Sequence, residues 1–200
     1  MFEKSDPISW IYYADRSYVS SRLLWFTNFT FEAPVNTHRT IELYLKAFLV
    51  SSGFDIKPKS PAWGHSIKEL GEVASNHCID FKETDVVRRL HFFERYFNYV
   101  RYPSDEVAPD DGSLTWFSFD SNIEPLDELV AFIRPRIQIK NTEWDLCYIS
   151  DLINSNDKRF GCQRKALLDQ NKHLEQINCN CTHNSKVAFN KNFHYDKLGC

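Results

Sequence analysis

Glycine is scarce in this chain: only 6 of its 200 residues are glycine, whereas aromatic residues make up 15%. Because glycine supplies many tight turns, this composition argues against a turn-rich β-sandwich and favours long helices. No apolar run approaches the roughly 20 residues that a membrane-spanning helix needs. The first residues, MFEKSDPIS, lack the apolar segment of a secretory signal. We therefore expect a soluble, cytoplasmic protein.

Common catalytic motifs are absent as well. The chain contains no glycine-rich phosphate loop and no HExxH, GxSxG or CxxC sequence, which removes the most easily recognised enzyme classes without excluding catalysis. Its formal net charge of −3 argues against a protein that coats nucleic acid or anionic membranes through bulk charge. Binding to such partners would need a local basic patch.

The C-terminal part differs from the rest in composition, since residues 151–200 hold four of the six cysteines and carry a net positive charge. We expect a helical domain over residues 1–140 and a C-terminal extension over 141–200 that is partly helical or poorly ordered. The cysteines are too widely spaced for a disulfide framework, so we expect them to be reduced. The extension contains thiols and imidazoles that are potential zinc ligands: Cys162, Cys179, Cys181, His183, His194 and Cys200. Because no two cysteines form a CxxC pair, we predict no metal and no cofactor.

Apolar residues at helical spacing predict an all-α fold. Asp6 and Pro7 open the first helix, Gly53 ends the second in a left-handed cap, and Ser66 with Glu69 forms a capping box for the third. The short connections indicate an up-and-down bundle of four to five helices. We expect these helices at residues 7 to about 24, 35 or 36 to 50, 66–75, 86–100 and 124 to about 133, with a sixth near 144–153 and at most one more after it.

One candidate site lies on the second helix. His38, Glu42 and Lys46 are four residues apart, so they share one helical face. Taken alone, Glu42 and Lys46 are most simply an exposed ion pair. Apolar neighbours place Glu42 near the core, however, and a half-buried carboxylate needs a partner, which arginines of the fourth helix could supply.

Two further candidates lie at helix ends. His65 precedes the third helix, where it either packs beside the cap or contacts a ligand at the helix N-terminus. Tyr99, Arg101 and Tyr102 close the fourth helix before Pro103. Tyrosines beside an arginine can stack on a base while the guanidinium binds phosphate, but a basic residue before a proline is equally typical of an ordinary helix end.

Taken in order, three stretches resemble the HEPN domain, a small helical nucleotide-binding family. They are ELYLKAFL at 42–49, HSIKEL at 65–70 and YVRYPSD at 99–105, which are similar to the E-x-x-L-K-A-x-L helix, the histidine before a short helix, and the R-Y-P-D ending of that family. Here Ser104 displaces the aspartate by one residue. The resemblance covers about residues 6–105 and, more loosely, extends to 137.

The resemblance implies a homodimeric bundle that binds a nucleotide or RNA and works with a nucleotidyltransferase or a toxin–antitoxin or defence partner. It also implies that Glu42, Lys46, His65, Arg101 and Tyr102 line one cleft, with Tyr99 or Tyr102 stacking on a base. The family members that act as RNases are similar in sharing a motif, in which an arginine is followed by a histidine after four to six intervening residues. No arginine of this chain has a histidine at that spacing, so we expect a noncatalytic binding domain.

Two other functions remain open. One is a metal-independent RNase with a rearranged site, in which Glu42, His65 or His91 acts together with Arg88, Arg89 or Arg101. The other is a protein-interaction module without a ligand.

Overall fold

The computed structural model describes residues 6–57, 60–102, 119–140 and 147–177. Within these ranges the chain forms eight α-helices and short 3₁₀ turns and no strand, so the all-α prediction is confirmed. None of the described helices is long and apolar enough to cross a membrane. The helices are α1 (Pro7–Phe26), α2 (Glu32–Ser51), α3 (Ile67–Ser75), α4 (Thr84–Arg101), α5 (Phe119–Ile133), α6 (Tyr148–Asn154), α7 (Gly161–Leu168) and α8 (Leu174–Ile177).

The predicted helix caps are present. Asp6 caps α1 by accepting a hydrogen bond from the Ile8 amide at 3.0 Å. The Ser66 hydroxyl accepts from the Glu69 amide at 3.3 Å at the start of α3. Gly53 follows α2 with a φ of +82°, the left-handed conformation that glycine adopts without strain. Short-range capping chemistry therefore determines these three ends.

Other helix boundaries differ from the prediction. α2 begins at Glu32 rather than at 35 or 36, because Pro34 lies in the first turn, where the missing amide has no helical partner to lose. α5 begins at Phe119 and contains Pro125 within the helix, so the predicted start at 124 is wrong. The prediction of at most one helix after the sixth is also wrong, since both α7 and α8 are present.

The helices pack around one hydrophobic core. α1 lies along α2, while α3, α4 and α5 pack against other parts of α2. On α4, Val86, Leu90 and Phe93 are buried at helical spacing. The helices after residue 147 add six further apolar side chains to the same cluster: Ile149, Leu152, Ile153, Leu167, Leu174 and Ile177. The predicted domain boundary near residue 140 stays a prediction, and the core itself runs across it.

A buried ion pair links α1 to the 3₁₀ turn that follows α5. The Arg134 guanidinium donates to both carboxylate oxygens of Asp15, with its Nε 2.9 Å from Oδ1 and its Nη2 3.0 Å from Oδ2, and both side chains are fully buried. Tyr44 of α2 donates to Asp15 at 2.7 Å, and Arg134 donates to the carbonyl of Ile177 in α8. Burial and the charge of Asp15 raise the pKa of Tyr44, so its hydroxyl remains a proton donor. This network joins α1, α2 and the C-terminal helices.

A second buried pair lies between α1 and α5. Arg22 binds Asp127, and the Tyr18 hydroxyl donates to the same carboxylate at 2.6 Å. Arg22 also donates to the carbonyls of Ala166 and Asp169. Because these carbonyls end α7, Arg22 ties the C-terminal segment to the helices before it.

The cysteines do not all match the expectation of reduced thiols. Cys78 and Cys147 are free, whereas Cys162 is disulfide-bonded to a residue outside the described part of the chain. Outside the described residues lie the other five side chains considered as potential zinc ligands: Cys179, Cys181, His183, His194 and Cys200. Across the described ranges, no group of three or more histidine, cysteine, aspartate or glutamate side chains is arranged to hold a metal ion.

Candidate functional site

One face of α2 carries the first group of candidate residues. His38, Glu42 and Lys46 follow one another at one-turn intervals, as their spacing predicts. His38 and Lys46 are only 3% and 5% exposed. The ion pair of Glu42 and Lys46 is therefore largely buried, and the interpretation as an exposed surface pair is wrong.

Glu42 brings together three of the predicted site residues. Its Oε1 accepts from the Lys46 ammonium at 2.7 Å and lies 3.0 Å from Nδ1 of His65, whose ring is exposed. The Lys46 ammonium also lies over the ring of Trp10, 5.8 Å from its centroid. The partners of Glu42 are thus Lys46 and His65 rather than arginines of α4. A phosphate could reach Lys46 only by competing with this carboxylate.

A contact between a histidine and a glutamate links the same face of α2 to α4. His38 Nε2 lies 3.3 Å from Glu94 Oε2, and the His38 ring stacks on Phe97 with their centroids 3.9 Å apart. The same Glu94 oxygen accepts from the Ile67 amide at 2.8 Å, at the first residue of α3. Burial raises the pKa of Glu94, but His38 and the amides of Ile67 and Lys68 outweigh burial and lower its pKa below the usual value. Glu94 is therefore charged at neutral pH, and its carboxylate is held in place by His38 and by the amides at the start of α3.

The end of α4 carries the remaining predicted residues. The Arg101 guanidinium lies over the rings of Phe97 and Tyr102, 5.6 and 5.3 Å from their centroids. Arg101 and Tyr102 are exposed, whereas Tyr99 is half-buried. Arg101 and Tyr102 thus form an accessible cation and aromatic ring, the pair of groups that can contact a phosphate and a base.

An open groove runs between α3 and α4, with a volume of about 680 Å³. Five of its lining residues are charged or titratable: Lys68, Arg88, His91, Glu94 and Arg95. Lys68 comes from the first turn of α3 and the others come from α4, in which Arg88 and Arg95 are seven residues apart and so point to the same side. Among the lining residues that the structure describes, cations therefore outnumber the single anion, although Arg88 also pairs with Asp85 at 3.0 Å.

The same groove also contains aromatic and amide groups. Phe92, Asn98 and Tyr102 line it beside the cations. The part of the groove wall from Arg88 to Asn98 extends about 15 Å along α4 at the usual helical rise. A groove of this length with cations and rings on one wall has the composition that single-stranded nucleic acids bind.

The structure distributes five of the six predicted residues over two places, whereas Tyr99 belongs to neither. Glu42, Lys46 and His65 form the cluster on α2, while Tyr102 lines the groove and Arg101 contacts Tyr102. His38 and Glu94 lie between these places, one turn from Glu42 and in the groove wall respectively. Sequence analysis placed His38 on the same helical face as Glu42 but did not assign it to the cleft, and it did not include Glu94 or Lys68 among the site residues. The seven-residue spacing of Arg88 and Arg95 was the signal from which the cationic side of α4 could have been found.

Comparison of the chain with protein-family models, with curated proteins and with solved structures gives no match. The geometry of the chain itself therefore carries the functional argument.

Proposed function

We propose that this chain is a noncatalytic, HEPN-type domain that binds single-stranded RNA or a nucleotide in the groove between α3 and α4. The observation that carries the proposal is the concentration of Lys68, Arg88 and Arg95 beside Phe92 and Tyr102 in one groove. Cations attract the phosphates, and every base offers a face that stacks on an aromatic ring. A chain of slight net negative charge needs such a local patch to bind RNA.

The HEPN assignment rests on the resemblance of the three sequence stretches, and the order of the helices is compatible with it. In this proposal α1 to α5 are the bundle of the family and the C-terminal helices are an addition to it. The homodimer and the nucleotidyltransferase or toxin–antitoxin partner rest on the resemblance alone. Light scattering of the purified chain tests the homodimer, since the mass observed is either 23.6 kDa or twice that value.

Binding of a fluorescently labelled eight-nucleotide RNA of mixed sequence, measured by anisotropy at several salt concentrations, tests the proposed function. Arg88→Ala and Lys68→Ala should each weaken binding severalfold and make the salt dependence shallower by about 0.7 for each phosphate that the variant no longer neutralises. Arg39→Ala is the matched control, because Arg39 is an exposed arginine of α2 outside the groove. Unlabelled ATP and GTP as competitors separate a nucleotide from an RNA ligand. Equal weakening by all three variants, or no binding, would refute the proposal.

The diverged RNase is the second candidate, because Arg88 and His91 line the same groove. An imidazole beside a guanidinium can transfer a proton while the cation stabilises a charged phosphate. Gel analysis of the RNA after incubation distinguishes the two functions. Intact RNA supports the binding domain, whereas cleavage that disappears in His91→Ala but persists in Arg39→Ala would identify the RNase.

A further inference from the structure

Glu94 stands out among the residues that line the groove. Of the eight lining residues in the described part of the chain, it is the acidic one, placed next to Arg95 and within reach of α3. Its side chain is 20% exposed, whereas the side chain of its partner His38 is 4% exposed. The carboxylate thus has a buried side and a side that faces the groove.

The buried side fixes the carboxylate. His38 and the Ile67 amide both contact Oε2, at 3.3 and 2.8 Å. Stacking of His38 on Phe97 in turn holds the imidazole in place. The Lys68 amide also bonds to this carboxylate. A carboxylate has about four acceptor positions on its two oxygens, so these three contacts leave about one acceptor position for a ligand. The lowered pKa of Glu94 agrees with a group that stays ionised.

A fixed anion inside a cationic groove restricts which ligands fit. Bare phosphate is attracted by Arg88 and Arg95 but repelled by Glu94. A nucleotide can bind the cations and the anion at the same time. Its phosphate then contacts the arginines, while an N–H donor of its base lies against the carboxylate, as the amino group of cytosine does with acidic side chains. Asn98 lies one turn further along α4, on the same face, where its amide can both donate to and accept from the base edge.

From this arrangement we infer that Glu94 is a specificity-determining residue, which favours bases with an exocyclic amino group over uracil. The inference rests on the proposed function, since it concerns the same groove. Cytosine presents its N4 amino group to the carboxylate, whereas uracil presents at the equivalent position a carbonyl oxygen that the carboxylate repels, and the N3–H donor of uracil lies at a different position of the base edge. Adenine and guanine also carry amino groups, but their larger rings stack more strongly.

Comparison of two pyrimidine oligonucleotides tests the inference, because it avoids the difference in stacking strength between purines and pyrimidines. Labelled rC8 and rU8 are titrated with the intact chain at one salt concentration, and rC8 should bind about tenfold more tightly. In Glu94→Gln this preference should fall to near equality, because an amide can donate to the uracil carbonyl as well as accept from the cytosine amino group. Glu32→Gln is the matched control, because Glu32 is exposed at the start of α2.

The outcomes separate this inference from the proposed function. Equal binding of rC8 and rU8 by the unmodified chain would overturn the selectivity and leave RNA binding intact. A preference that persists in Glu94→Gln would overturn the assignment to Glu94. Absence of binding to either oligonucleotide would overturn both proposals. Because the first comparison uses the unmodified chain, a Glu94 variant that fails to fold does not prevent the test.

Discussion

Replacement of Asp15 by asparagine should destabilise the fold strongly. The two side chains have nearly the same shape, so the substitution removes a charge without opening a cavity. Arg134, which is fully buried, then keeps its positive charge and loses the carboxylate that binds both Nε and Nη2. The amide of asparagine also replaces one of the two acceptor oxygens by an NH2 donor, so at least one of the two Arg134 hydrogen bonds is lost.

The expected loss follows from what an unpaired buried charge costs. Removal of one partner of a buried ion pair typically lowers the free energy of unfolding by about 3–5 kcal/mol. Against a total of about 5–15 kcal/mol for a domain, this is a large fraction. For a chain of this size the melting temperature should fall by roughly 6–20 °C.

Urea denaturation, followed by far-ultraviolet circular dichroism and tryptophan fluorescence, measures the loss. Lys57→Met is the control, because Lys57 and Asp55 form an exposed pair with side chains 72% and 65% accessible. This control should leave the denaturation midpoint unchanged. Arg134→Met combined with Asp15→Asn should be more stable than Asp15→Asn alone, because no unpaired buried charge remains. If Asp15→Asn lost under about 1 kcal/mol, the argument that this pair secures the C-terminal helices would be wrong.

Two further predictions concern local features. Because the pKa of Glu94 is lower in the folded state than its unfolded value of about 4.3, its contribution to stability is complete above that value and is lost as the pH falls through the folded pKa. Melting temperatures measured from pH 6 to pH 3 should therefore fall more steeply for the unmodified chain than for Glu94→Gln, and parallel curves would contradict this. Gly53→Ala should cost about 1–2 kcal/mol in urea denaturation because φ is +82°, with no other atom within 4 Å of the new methyl group. Gly53→Asn should cost less, and an equal loss would indicate a cause other than the backbone conformation.

Sequence analysis was most accurate where a feature depends on neighbours within one helical turn. The cap of Asp6 on α1, the hydrogen bond from the Glu69 amide to the Ser66 hydroxyl, and the left-handed Gly53 involve contacts within a few residues. The contact of Glu42 with Lys46 is of the same kind. In each case the residue type and its spacing are sufficient, because the partner is the helix itself.

Helix starts near proline were less accurate, because local preference and packing disagree there. Pro34 and Pro125 both suggest that a helix begins within one or two residues of them. α2 and α5 begin earlier than predicted. The apolar side chains that α5 buries, among them Leu126 and Leu129, stabilise the whole helix once the core has formed.

Local residue patterns are enough to predict that this chain is helical, where several of its helices begin and end, and that Glu42 and Lys46 share a face. Which distant residues meet depends on how the helices pack. His38 and Glu94 are 56 residues apart, and Asp15 and Arg134 are 119 residues apart. An isolated arginine or glutamate favours water, so the sequence places it on the surface. It becomes buried only where packing brings an opposite charge to it, and that pairing depends on the complete arrangement of the helices.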